Sequence, residues 1–479
     1  MESTVSRREF IKVGAATVAG LGALESGMIS AEVSSERPPN LLIIHTDQQS
    51  SWTLGIYGGT LIDTPRIDAI GSEGAVFSNF FTNSAVCTPS RGCFLTGRYP
   101  HAHGAYKNNI ELSRDEMTLA RVLQKNGYET GYAGKWHLDG TPKPGWMKLS
   151  RSMGFEDCRY MFNRGHWKKI VEDADGDAKE SPYNVIGDEK TYTTDWLASK
   201  TINFIKRQRE NPFFFMVSIP DPHTPYTVRA PYDTMLNPDD MPIPLTFSEK
   251  NPPKWAAAAR DNGRYAMKKP KREEILRQDI AAYCGEVKCI DDNVGRILDC
   301  LAEQGILDNT IVVFTTDHGD YMGEHGLLGK NQLYETAYRI PLLIRWPKKI
   351  AGNTAVDNIV STVDFQPTVL SLMGIEPSGR EQGKDASALI QGRKTDWRDV
   401  SFIHHASLKR AGIFTKKYEL AYVQNNDHIL FDRLNDPEQV NNLFNDPKYK
   451  NVIDELTEQI IAHNTEVDSP ALSWLKELR

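Results

Sequence analysis

Short apolar runs bounded by polar residues punctuate the chain at Leu41 to His45, Tyr128 to Ala133, Phe213 to Ile219, Ile311 to Thr315 and Pro341 to Trp346. Runs of this length without alternation suit strands buried on both faces. Helical signals lie between them. Ser113-Arg114-Asp115-Glu116 has the form of a capping box ahead of Leu119, Val122 and Leu123, with Gly127 as the stop. Asp279 to Gln304 and Asp364 to Met373 read as further helices. Strands alternating with helices predict an α/β fold with a parallel or mixed sheet covered on both faces.

Two stretches break the rhythm. Asp139 to Asp188 is rich in Gly, Lys, Asp and aromatics, and Asp221 to Arg272 in Pro and charge. Both are longer than ordinary connections and read as lids or substrate loops. After Gly374 to Gly392 the pattern changes to short strands, Ile413 to Thr415 and Leu420 to Val423, and a last helix around Val452 to His463. The expected division is a signal over 1–31, a main domain over 38–375 and a smaller α+β domain over 376–479.

Composition narrows the function classes. Against 63 acidic residues stand 56 basic ones, a net charge of −7, with no long basic run, so a nucleic-acid partner is not expected. Ser6-Arg7-Arg8-Glu9-Phe10-Ile11-Lys12, an apolar Val13 to Leu24 and small residues at Ser30-Ala31 read as a twin-arginine export signal. The translocase is then a partner, and the mature protein is expected in the periplasm or secreted. No later stretch approaches the ~20 apolar residues of a membrane span. The six cysteines show no paired spacing, and all but Cys87 read as ordinary buried thiols.

Polar residues follow the predicted strands: Asp47-Gln48 the first, Lys135 and His137 the second, His223 the third and Asp317-His318 the fourth. Open α/β sheets gather ligands outside these carboxyl ends. Two carboxylates, an amide oxygen and an imidazole suit a divalent cation. Oxygen-dominated ligation favours calcium, and the imidazole leaves manganese or magnesium open. Cys87 precedes Pro89, a residue suited to a first helical turn, which places the thiol where free N–H groups attract an anion.

Cys87, Pro89 and Arg91 match in full the Cys-x-Pro-x-Arg pattern by which a maturation enzyme converts cysteine to formylglycine, and here the chain resembles the formylglycine-dependent sulfatases of the alkaline phosphatase superfamily. The likeness runs through Gly134-Lys135-Trp136-His137, Asp221-Pro222-His223-Thr224-Pro225 and Thr316-Asp317-His318-Gly319-Asp320 to Lys330, and on to Leu430-Phe431-Asp432 and Asp436-Pro437-Glu438. It implies an alkaline-phosphatase-like central mixed sheet with a smaller C-terminal α+β domain. It also implies a metal held by Asp47, Gln48, Asp317, His318 and the formylglycine (3-oxoalanine) made from Cys87. Gln48 stands where many members have Asp, and His318 where many have Asn, so the site loses one negative charge.

The resemblance further implies that a hydrated aldehyde at position 87 attacks sulfur. Arg91 and Lys135 would hold the diol and the metal-bound oxygens, and Lys330 the sulfate. His223 would be the acid for the leaving oxygen, and His137 the base that expels sulfate. A sulfated carbohydrate is the expected substrate, because Trp146, Phe162, Arg164, His166, Trp167 and Lys168 crowd the first long loop. Packing of that loop is the alternative use of the same residues. The competing functions are a phosphonate monoester or phosphodiester hydrolase and an inactive sulfated-glycan-binding protein; the intact nucleophile motif and metal set speak against the latter.

The export reading has a direct test. Replacing Arg7 and Arg8 together with Lys should abolish delivery to the periplasm, because the receptor reads the arginine pair. Cell fractionation checks this, and unchanged periplasmic yield rejects the assignment.

Overall fold

The first apolar run becomes strand β1 (Asn40–Thr46), buried along its whole length. In the computed structural model, which describes residues 37–140 and 145–478, β1 lies inside an eight-stranded sheet. The other strands are β2 (Ala75–Phe77), β3 (Glu129–Lys135), β4 (Asp157–Phe162), β5 (Phe213–Ser218), β6 (Thr310–Thr316), β7 (Leu342–Arg345) and β8 (Thr354–Val356). Their order is β8-β2-β7-β6-β1-β5-β3-β4. Only β7 runs against its neighbours. The sheet is therefore mixed, as expected. The signal read at residues 1–31 lies outside the described residues, and from Pro38 onward the chain forms one unit.

Alternate residues of the central strands enter two separate cores, which is why these runs are apolar throughout. Leu41, Ile43, Phe214 and Val313 pack on one face with Phe94, Leu119, Leu123 and Val369. Those partners come from α1 (Cys87–Thr96), α2 (Leu119–Lys125) and α5 (Thr362–Met373). Leu42, Ile44, Phe215 and Phe314 pack on the other with Leu197, Phe204, Ile280 and Val287, from α3 (Thr193–Ile205) and α4 (Arg272–Glu303).

Several local expectations need correction. Helix α2 starts after Thr118, whose hydroxyl accepts from the Arg121 N–H at 3.2 Å. Ser113 does not cap it, because the Glu116 carboxylate that would close the box is held by Arg98 at 2.6 Å. Gly127 does follow the helix, with φ +82°. Helix α4 begins seven residues before Asp279, its first turn carrying Glu273 and Glu274 where the dipole favours anions. The Asp139 to Asp188 stretch is not only a lid, since it supplies β4, parallel to β3 at the sheet edge. Phe162 at the end of β4 packs on Trp167 (ring centroids 5.1 Å) and Trp146 (5.6 Å). These rings pack on one another and on the core beneath the loop.

Residues 400–432 form a separate antiparallel meander of β9 (Val400–His404), β10 (Arg410–Thr415), β11 (Tyr418–Val423) and β12 (Ile429–Asp432). One face, with Ile413, Leu420 and Leu430, takes Leu456 and Ile460 of α6 (Lys450–Glu466). The other places Phe414 against Phe81, ring centroids 4.6 Å apart. Among the described residues no helix is long and apolar enough to cross a membrane.

Candidate active site

Strands β6, β1, β5 and β3 are contiguous, and their carboxyl ends share one edge of the sheet. Each contributes a fully buried polar residue there: Asp317 after β6, Asp47 after β1, Ser218 on β5 and Lys135 on β3. Helix α1, buried throughout, begins directly above at Cys87. One turn along it, Arg91 donates through Nη2 to Asp47 Oδ2 at 2.9 Å and through Nε to Asp317 Oδ2 at 3.0 Å. Its Nη1 donates to the Lys135 carbonyl and to Ser218 Oγ, both at 2.8 Å. Lys135 Nζ donates to Asp47 Oδ2 as well. Close approach of β3 and β5 here depends on Gly134, at φ +106°, where any Cβ would collide with the Ser218 carbonyl.

Cys87 Sγ lies 3.1 Å from His318 Nε2 and 3.9 Å from Asp47 Oδ1. His318 Nδ1 faces the Gly319 carbonyl at 3.0 Å, an acceptor, so Nδ1 carries a proton and Nε2 is the nitrogen directed at residue 87. Asp317 Oδ1 accepts the backbone N–H of Gln48 and of His318, each at 3.0 Å. Gln48 donates its amide nitrogen to Asp320 at 2.5 Å and offers its oxygen to Lys330 Nζ. The partners fix the amide orientation, because a carboxylate only accepts and an ammonium only donates. Ligand atoms of Asp47, Cys87, Asp317 and His318 all fall within 4.8 Å of one another. Two carboxylates and an imidazole, buried and converging, fit a divalent cation.

Above this cluster a cavity of about 340 Å³ is lined by Gln48, Asn108, His223, Lys330 and Asn331, among others. His223 Nε2 lies 2.8 Å from Lys330 Nζ, and His166 Nε2 lies 2.8 Å from Lys135 Nζ. The two imidazoles stack, centroids 3.9 Å apart and 2° from parallel. The Asn331 carbonyl at the rim accepts from His405 Nε2 and Arg410 Nη1, both at 3.1 Å, which ties the cavity to β9–β10. His137 is buried at φ +58°, and neither ring nitrogen has a protein partner.

Charge sets the site apart from the rest of the interior. Burial and Asp47 both push the Cys87 thiol up, but Lys330, Lys135 and His318 outweigh them and bring it below its usual value. Burial pushes the other five cysteines up. The Asp47 carboxyl resists burial and sits well below the usual range because of the Lys135 ammonium and the Arg91 guanidinium. Burial holds His223, His166 and His137 well below 6.5, with Lys330 adding to the effect on His223 and Lys135 to that on His166 and His137.

The fold thus gathers Asp47, Gln48, Cys87, Arg91, Lys135, Asp317 and His318 at one point and sets His223 and Lys330 at the mouth. His166 is a site residue that its sequence context conceals. It reads as one ring among several in a loop, whereas recognising Asp157–Phe162 as a strand would place it beyond a carboxyl end like the others. Lys168 is not a sugar-facing cation, since it is fully buried between Asp221 and Glu286.

A family profile described as Sulfatase matches residues 39–375, and one described as N-sulphoglucosamine sulphohydrolase, C-terminal, matches residues 323–466. An N-acetylglucosamine-6-O-sulfatase from Bacteroides thetaiotaomicron is 28% identical, over 86% of this chain and 83% of the relative. A solved structure described as a complex with its substrate D-glucosamine-2-N,6-O-disulfate superimposes with TM-score 0.76 at 25% identity, covering 91% of this chain and 99% of that one. The phosphonate monoester hydrolase of Agrobacterium radiobacter shares the fold, with TM-score 0.75 at 23% identity over 90% and 97% of the two chains.

Removing single ligands should grade the metal content of the purified protein. Asp47→Ala and Asp317→Ala each delete a charged oxygen donor and should lose bound metal, whereas Gln48→Ala deletes a neutral one and should weaken binding less. Elemental analysis of the three variants checks this, and full occupancy in Asp317→Ala misplaces the site.

Proposed function

The chain belongs to the sulfatase family and is a sulfuric ester hydrolase; from that premise we propose that it removes sulfate from a sulfated carbohydrate, using residue 87 as formylglycine and a divalent metal. The observation that carries this reading is the placement of Cys87. Among six buried thiols it alone faces two carboxylates and an imidazole below and two lysines nearby. A relative named for N-acetylglucosamine 6-O-sulfate and a neighbour seen with a sulfated glucosamine support the sugar class.

The hydrated aldehyde made from Cys87 would supply the oxygen nucleophile, and a metal held by Asp47, Gln48, Asp317 and His318, most simply calcium, would supply charge compensation. Arg91 fixes the two carboxylates in relation to each other through Nη2 and Nε. Lys135 keeps Asp47 ionised. Lys330, which lines the cavity, would hold the sulfate. The Lys330 ammonium donates to His223 Nε2 at 2.8 Å, so the one proton of the pair rests on Lys330 and would reach a departing sugar oxygen by way of His223 Nε2. His137, with both ring nitrogens free of protein partners, would be the base that takes the second diol proton. A phosphonate or phosphodiester hydrolase is the second reading, favoured by the neutral Gln48 and by His318; parallel assays on aryl sulfate and aryl phosphonate esters separate the two. A maturation enzyme and the twin-arginine translocase complete the proposed partners, with the periplasm or the exterior as destination.

Mass spectrometry of the peptide containing residue 87, from protein co-produced with a maturation enzyme, should find the aldehyde, and Cys87→Ala should fold yet turn nothing over. Fully active protein with unmodified cysteine rejects the proposal. His223→Ala should cost about 10²–10⁴ in rate on a sugar sulfate, the usual value of general acid help, and little on nitrophenyl sulfate, whose leaving group needs no proton. Equal losses in kcat/KM on both substrates move the acid role to Lys330.

A further inference from the structure

Lys168 is 0% exposed, its ammonium 2.6 Å from Asp221 Oδ1 and 2.7 Å from Glu286 Oε1. Nothing in the proposed chemistry uses it. A cation buried with two carboxylates is weak evidence of a stabilising device, since apolar replacements of similar volume are often as stable. Its position in the chain is more telling. Lys168 stands two residues after His166, and Asp221 two residues before His223. The ion pair therefore joins the two segments whose imidazoles stack at 3.9 Å over the site.

Each arm of the contact is braced. Asp221 Oδ2 accepts from Tyr192 OH at 2.8 Å and from Thr194 Oγ1 at 2.6 Å. The Asp221 carbonyl accepts the N–H of Asp47 at 3.2 Å, so the same residue reaches the metal cluster through the backbone. Glu286 Oε1, on α4, also accepts the Thr227 N–H at 2.7 Å, which ties down the far end of the His223 loop. The Trp167 carbonyl accepts from Thr193 Oγ1 at 2.5 Å. One ammonium thus links the His166 segment, the His223 segment and the longest helix of the described residues.

We infer that Lys168, with Asp221 and Glu286, is a positioning device that sets the His166–His223 pair against Lys135 and Lys330. This rests on the sulfatase reading above, in which His223 faces the leaving oxygen. Lys168 touches neither substrate nor metal; it acts through the two histidines. Its loss lets the His166 and His223 segments part, so that His223 leaves its 2.8 Å contact with Lys330 while the strand-end cluster around Arg91 stays in place.

A double-mutant cycle tests this. Lys168→Met, His223→Ala and the double variant are assayed on a sulfated monosaccharide, with rates corrected for the folded, metal-loaded fraction. Lys168→Met should lower kcat by about 10-fold or more in the wild-type background and by less than about 3-fold in the His223→Ala background, the non-additivity of groups acting as a unit. Equal factors in the two backgrounds overturn the inference, because a purely structural role lowers activity independently of His223. A crystal structure of Lys168→Met with the imidazole stack unchanged overturns it as well, and that outcome does not depend on whether His223 is the acid. His223→Ala alone, compared on sugar and nitrophenyl sulfates, judges the acid role separately. If Lys168→Met does not fold, Tyr192→Phe, which removes one brace from Asp221, goes through the same cycle and should show the same coupling at smaller amplitude.

Discussion

The Arg91 guanidinium donates to groups at the carboxyl ends of four neighbouring strands: Asp317, Asp47, Ser218 Oγ and the Lys135 carbonyl. A cation with 2% exposure is tolerable only because its donors are so fully matched. The dependence runs both ways. Asp47 and Asp317 are buried carboxylates on adjacent strands, and without a fork-shaped cation between them they would repel each other and accept protons. Because Arg91 lies one turn along α1 from Cys87, the same contact sets the height of residue 87 above the sheet. The placement of residue 87, the ionisation of two carboxylates and the register of helix on sheet therefore share one side chain. Lysine could supply the charge there but not the fork.

Much of this was legible in the sequence because burial on both faces leaves an unmistakable signature. The runs at Leu41, Phe213 and Ile311 had to be interior strands, and whatever followed them had to lie at one edge. Asp47, Asp317, Lys135 and His223 could be placed together on that ground. What failed to show were contacts decided across the fold. Ser113 and Glu116 look like a capping box, yet Arg98 takes the glutamate from elsewhere in the chain. β4 sits at the sheet edge, with Arg159 exposed and Asp157 and Tyr160 half-buried, so its pattern is mixed and its tail, with His166, read as loop. Lys168 seemed a surface cation because no local pattern announces two carboxylates arriving from 53 and 118 residues away.

The shared fold of sulfate and phosphonate ester hydrolases puts weight on the details of this site and not on its architecture. Gln48 is such a detail. At φ +64° its backbone N–H turns toward Asp317 while its side chain bridges Asp320 and Lys330. An aspartate there would bring a second charge beside Asp320, which burial already pushes above the usual carboxylate range. A neutral amide suits that neighbour, and the lower negative charge leaves Lys330 less completely neutralised and more available to an anion in the cavity.

The small C-terminal sheet enters the cavity wall through a single carbonyl, that of Asn331, held by His405 and Arg410. Those two residues flank the β9–β10 hairpin turn, on a surface far from constrained by the chemistry at residue 87. Mutations that lengthen or tilt this hairpin leave every strand-end donor untouched yet move one side of the opening. Inherited variation can therefore accumulate in this meander and be tried out as a change in which ester is admitted, without disturbing the strand-end cluster.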